Sequence, residues 1–270
     1  DCAAPAPRRS LHKAMMMGRA LKVGDTVRAK VNIEHRSRIR AHHTATHLLH
    51  AALREVLGTH VKQAGSEVDE HRLRFDFTHF APLDPEQVAE VERIVAAQAL
   101  KAQAMNVREM PIEEALATGA MALFGEKYGE TVRVVSVPGF STELCGGTHV
   151  ANTGEIGIVK IVSESAVAAG VRRIEAVAGA AALELLQADE RAIRELGKQL
   201  NAKREDLPER IQQLEVENGS LKLELKAAKL KAASGGGAAE RVEQIGGLSL
   251  VTASVEGLES AALREMMDQV

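Results

Sequence analysis

Tryptophan is absent from these 270 residues, tyrosine occurs once and phenylalanine five times. The core must therefore be mainly aliphatic. Cysteine is scarce as well, and Cys2 and Cys145 are too few for a disulfide framework. No apolar run approaches the ~20 residues that span a bilayer, and the N-terminus lacks the short apolar core of a signal peptide. These absences favour a reducing, cytoplasmic setting with no membrane partner, where a thiolate is free to bind metal. What remains is ordinary globular material, 45% hydrophobic and 26% charged, suited to two domains or one with appendages. The chain opens on Asp1 and stops abruptly at Val270, as an excised piece of a longer protein would.

A formal net charge of -3 conceals an asymmetry. Residues 1–40 carry ten Lys/Arg, including Arg36, Arg38 and Arg40, against only Asp1, Asp25 and Glu34. Such a segment suits a phosphate-rich partner, although a solvated basic surface explains charge alone equally well.

The periodicities predict an α+β fold. Strand-like alternation flanks Gly24-Asp25 within residues 19–34, a hairpin signal. An amphipathic helix follows over about 37–57, closed by Gly58. A second hairpin spans Val61–Phe77, and Asp84-Pro85 opens a helix over about 85–105. Short strands come at Thr131–Val137, Gly157–Ser163 and Arg172–Val177. Leu186, Ile193, Leu200, Leu207, Leu214 and Leu221 then recur every seven residues. Pro208 interrupts that run beside Asp206, a plausible cap, so an antiparallel helical hairpin is expected rather than one rod. After the Ser234-Gly-Gly-Gly hinge come a strand at Leu248–Val255 and a helix at Ser260–Gln269, too little for an independent core.

Two pairs of residues carry the chemistry. His43 and His47 lie four apart, on one face of a helix. Cys145 and His149 are also four apart, but Gly146 and Gly147 between them favour a loop. Three imidazoles and a thiolate suit tetrahedral zinc. His50, seven residues from His43, shares that face and spacing alone does not exclude it; His42 is rotated away. Any one of these histidines taken singly would be read as an ordinary helix residue. The absence of His-Glu-x-x-His excludes a zincin, and nucleobase deaminase and P-loop signatures are missing too. The zinc site has no neighbouring carboxylate base in sequence. The metal would either activate water itself or share the work with a polarised substrate.

The order and identity of several motifs then become specific. His43-Thr-Ala-Thr-His47-Leu-Leu-His-Ala-Ala-Leu, Gln63-Ala-Gly-Ser66, Leu73-Arg-Phe-Asp-Phe, Cys145-Gly-Gly-Thr-His149 and Gly170-Val-Arg-Arg-Ile-Glu-Ala-Val together resemble the editing region of alanyl-tRNA synthetases. The likeness runs over nearly the whole chain, with one departure at Val177-Ala178-Gly179, where a Thr before the Gly is expected. It implies the end of a β-barrel-like domain over 1–36 and a mixed-sheet, zinc-dependent editing domain over 37–180. It further implies a helical hairpin over 181–233, then a hinge and the start of a C-terminal α/β domain over 234–270.

By the same resemblance, His43, His47, Cys145 and His149 hold Zn2+. The implied reaction is hydrolysis of mischarged seryl- and glycyl-tRNA(Ala), with tRNA(Ala) bound through its acceptor end. His43, His47, Gln63 and Cys145 are the implied catalytic set; Thr44, Thr46, Gln63, Arg172 and Arg173 are the implied substrate contacts. For Arg172 and Arg173 a structural salt bridge is an equal expectation, and Gln63 without the family would read as a solvated loop amide. The parent enzyme would join alanine to tRNA using ATP and could self-associate through its C-terminal region. A freestanding trans-editing hydrolase and a non-catalytic, zinc-stabilised RNA-binding module are the other readings.

Overall fold

A computed structural model describes residues 2–6, 9–12, 15, 18, 20–122, 128–234 and 241–252. The chain divides into two units, 1–184 and 185–270.

In the first unit, the expected amphipathic helix is α1 (Ile33–Leu57). It starts a turn early because the Asn32 side chain accepts the His35 backbone N–H. It ends at Gly58, whose φ of 115° an L side chain rarely adopts. Strands β3 (Gln63–Val68) and β4 (Leu73–Thr78) form the second predicted hairpin. They join β8 (Val159–Ala168) and β9 (Val171–Ala178) in a four-stranded sheet of order β3-β4-β9-β8, antiparallel at every pairing. Helix α2 (Pro85–Leu100) begins with the Asp84–Gln87 capping box. It stops five residues short of the prediction. Thr153 Oγ1 donates to the Gln98 carbonyl there, and Ala102 turns the chain with φ of 49°.

The apolar stripe of α1 and the inward face of β4 meet in one core. Ala45, Leu48, Leu49 and Leu53 pack with Phe75, Phe77 and Ile174, and Val91 and Val95 of α2 join them. The core is aliphatic in the main, but two of the five phenylalanines sit inside it. A smaller sheet, β5 (Asn106–Pro111), β6 (Thr131–Val137) and β7 (Ser141–Leu144), is also antiparallel throughout. With α3 (Ile112–Ala117) it encloses Ala115, Ala120, Val132, Val134 and Leu144. Strands β5 and β7 and helix α3 carry weak or short signals and were not anticipated. The mixed sheet expected for this region is replaced by two antiparallel ones.

The predicted hairpin around Gly24 is not formed: among the described residues of 20–32 there is a turn at Val23–Gly24 and no strand. Val23, Val27 and Val31 are exposed, so the alternation has no core to face, and a lone two-stranded ribbon is marginal in water. The described strands of the leading segment are β1 (Cys2–Ala6) and β2 (Arg9–His12), a two-stranded antiparallel pair; no barrel is seen among the described residues.

Helix α4 (Ala180–Leu200) leads into the second unit, where α5 (Leu207–Ser234) and the hairpin β10 (Arg241–Ile245) and β11 (Leu248–Thr252) follow. The seven-residue stripe is least exposed near the turn, at Ile193, Leu200, Leu207 and Leu214, and open at Leu186 and Leu221. Among the described residues, burial of the stripe is therefore concentrated where α4 gives way to α5. The predicted helix at 260–269 lies outside the described residues. Among those described, no helix is long and apolar enough to cross a membrane.

Candidate metal centre

One face of α1 supplies His43 and His47, and the loop leaving β7 supplies Cys145 and His149. The ligand atoms of all four lie within 4.8 Å of one another. Cys145 Sγ is 3.4 Å from His43 Nε2 and 3.3 Å from His149 Nε2. Zn–S and Zn–N bonds of about 2.3 and 2.0–2.1 Å at tetrahedral angles require an S···N separation of about 3.5 Å. The donor set and these two separations are consistent with a zinc site.

Burial keeps these imidazoles in the neutral form that ligates. Desolvation, then the repulsion of His47, brings His43 down to about 4 and His149 down to about 2. His47 is lowered chiefly by desolvation too.

The loop is held from several sides. Arg133 on β6 donates to the carbonyls of Cys145 and Gly147, at 2.9 and 2.6 Å. Arg40, one turn before Thr44, donates to the His149 carbonyl at 2.6 Å. Gly147 lies flat against the His43 ring, so that a Cβ there would sit 1.9 Å from His43 Cε1. Gly146, by contrast, faces open space. Of the two glycines in the motif, only the second is sterically required.

Thr44 is fully buried between helix and loop. Its hydroxyl donates to the Arg40 carbonyl, accepts the Val150 N–H and lies 3.2 Å from His149 Nδ1. Thr46 is buried and donates to the His42 carbonyl. The two hydroxyls expected to meet substrate are thus engaged inside the protein. Arg172 and Arg173 are likewise committed: Arg172 forks onto Glu164, and Arg173 onto Asp76 at 2.7 and 2.8 Å. Both make the salt bridges that were the equal expectation. Gln63 opens β3 at a half-exposed position, its amide donating to Ser66 Oγ.

His50, which spacing left as a possible ligand, is not in the cluster. Its Nδ1 is 3.3 Å from Glu143 Oε1. Glu143 is the residue that sequence reasoning missed. No carboxylate neighbours His43 along the chain, yet the fold brings this one to 3.8 Å from His47 Nδ1. Burial pushes its carboxyl up, but His47, His50 and the Ser141 hydroxyl outweigh that and hold it below the ordinary carboxylate range. The available signal was its position on a strand two residues before Cys145.

Comparison with known proteins agrees with this geometry. Residues 132–175, which include Cys145 and His149, match the family model described as the threonyl and alanyl tRNA synthetase second additional domain. The alanine–tRNA ligase of Solibacter usitatus is 46% identical over 98% of this chain. Those of Bordetella bronchiseptica and Methylococcus capsulatus are each 48% identical over 96%. In all three the chain spans about 30% of the relative's length. Over nearly its whole length the chain is therefore similar to one part of alanine–tRNA ligases, the part that carries the second additional domain.

Proposed function

We propose that this chain is an editing module which hydrolyses the ester of seryl- and glycyl-tRNA(Ala) at a zinc centre, and that its parent attaches alanine to the same tRNA using ATP. The observation that carries the reading is the convergence of His43 and His47 with Cys145 and His149. Similarity to alanine–tRNA ligases supports the choice of an aminoacyl ester as what such a centre serves.

The need for a second site follows from selectivity. An alanine pocket has no steric means of excluding glycine, and small differences in size are worth only about 1–3 kcal/mol. A separate site that hydrogen-bonds a hydroxyl distinguishes serine from alanine by a group that alanine lacks.

In this reading His43, His47, Cys145 and His149 hold the ion. Zinc bound there would supply Lewis-acid chemistry and an anchor for the aminoacyl end. Thr44 fixes the ring of His149 through Nδ1, leaving Nε2 for the metal. Arg133 and Arg40 hold the loop carbonyls and keep the Cys145–His149 arm against α1. Gln63 is the half-exposed amide assigned to the substrate's polar group. The acceptor end of tRNA, a single strand bearing the ester, is the partner.

The test is deacylation of three charged tRNAs by the full chain with zinc. Seryl- and glycyl-tRNA(Ala) are expected to be hydrolysed and alanyl-tRNA(Ala) spared. Equal hydrolysis of all three would sink the editing reading. Tight tRNA binding without hydrolysis would identify a zinc-stabilised RNA-binding module instead.

A further inference from the structure

Glu143 lies beside His47. Strand β7 carries it into the protein two residues before Cys145, and it is 7% exposed. Oε1 accepts from Ser141 Oγ at 3.1 Å and is 3.3 Å from His50 Nδ1; Oε2 is 3.8 Å from His47 Nδ1. His47 and His50 lie one turn apart on α1, so a single carboxylate spans both. No Lys or Arg pairs with it among the described ion pairs. A buried carboxylate without a full cationic partner costs several kcal/mol unless another positive charge lies near.

Metal binding would provide that charge. Zinc with a single thiolate and three neutral imidazoles keeps one net positive charge, which the arginine on the loop carbonyls does nothing to offset. The carboxylate stands beside a ligand imidazole, its Oε2 3.8 Å from His47 Nδ1. A carboxylate on the outer nitrogen of a ligating histidine fixes its tautomer and raises its basicity.

We infer that Glu143 is a positioning residue for the metal centre: its charge faces His47 Nδ1, leaves Nε2 for the ion, and balances the charge that a one-thiolate site retains. His50 and Ser141 hold the carboxylate in place and are not ligands. The inference rests on the metal reading proposed above, though not on which ester is hydrolysed.

The test compares the full chain with Glu143→Gln and Glu143→Asp. Zinc affinity is measured by competition with a chromophoric chelator, and the site is read from the absorption bands of the cobalt-substituted protein. Gln keeps the shape and the hydroxyl contact but not the charge. Its affinity is expected to fall about 10–100-fold, with altered cobalt bands and a melting temperature of the metal-free protein close to the parent's. Asp keeps the charge at shorter reach and should bind zinc more tightly than Gln. The inference is overturned if Gln binds zinc as tightly as the parent, or if Asp is no better than Gln. It is overturned too if either variant loses only metal-free stability. A parent chain that takes up no zinc would refute the metal centre itself, a different failure from the first three.

Discussion

At the scale of single residues, the motif Cys145-Gly-Gly-Thr-His149 contains an internal control. A methyl group at Gly147 would occupy the space of the His43 ring, whereas one at Gly146 meets nothing within 4 Å. Gly147→Ala is therefore expected to displace His43 or the loop and to remove most bound zinc, with Gly146→Ala near the parent's content. Elemental analysis of the two purified variants decides it. The same assay should show zinc lost in Cys145→Ala, which removes the one anionic ligand, and stoichiometry kept in His50→Ala. The four cluster residues were legible because ligand spacing is local: i, i+4 on a helix and a short glycine loop. Glu143 was not, because its role depends on strand β7 passing beneath α1, a relation between segments about a hundred residues apart. The internal contacts of Thr44 were not legible for a related reason. Sequence identifies a hydroxyl beside a ligand, but only the packing of loop on helix decides whether it faces substrate or a ring nitrogen.

At the scale of elements, β4 and β9 are joined by more than their ladder. Asp76 and Arg173 stand opposite each other in register and form a two-pronged ion pair. The Arg173 hydrogen bonds outweigh burial and hold the Asp76 carboxyl below its ordinary range. A depressed carboxylate contributes stability that is fully present above its unfolded-state pKa and lost as pH falls through the lowered folded value. Asp76→Asn should therefore be less stable than the parent at neutral pH, and the gap should close in acid. Urea unfolding followed from pH 7 downward measures it; a gap that widens in acid would contradict the assignment. Long elements with a clear period, α1, α2, β4 and β6, were readable because each has a core to face. The alternation around Gly24 had the right pattern but no second layer. The leucine stripe of α4 and α5 had the right spacing, yet burial is confined to the turn.

At the scale of the molecule, the basic leading segment is not uniformly available to RNA. Arg38 is paired with Glu184, and Arg40 is drawn to the His149 carbonyl and Glu155. Arg36, Lys22, Arg28 and Lys30 are exposed. Neutralising these four is expected to flatten the salt dependence of tRNA binding, at a slope of about 0.7–0.9 per phosphate lost. Arg40→Ala should act differently, weakening zinc retention with little change in slope. Titration of labelled tRNA across a salt series separates the two. The sign of the segment's charge was plain from composition. Which arginines are spoken for was not, since the partners at Glu184, His149 and Glu155 lie more than a hundred residues away.

The metal cluster also has a consequence for how the protein is made. Its two halves are 102 residues apart along the chain. A ribosome adding about 5–20 residues per second needs about 5–20 seconds to pass from one half to the other. Until Cys145 and His149 emerge, α1 offers a bare pair of imidazoles, too few to hold an ion against competing ligands in the cell. If the cluster holds zinc as proposed, capture of the ion comes late in synthesis, after the 102 residues between its halves have been made. On the proposed reading, the ion would close contacts between segments made well apart in time.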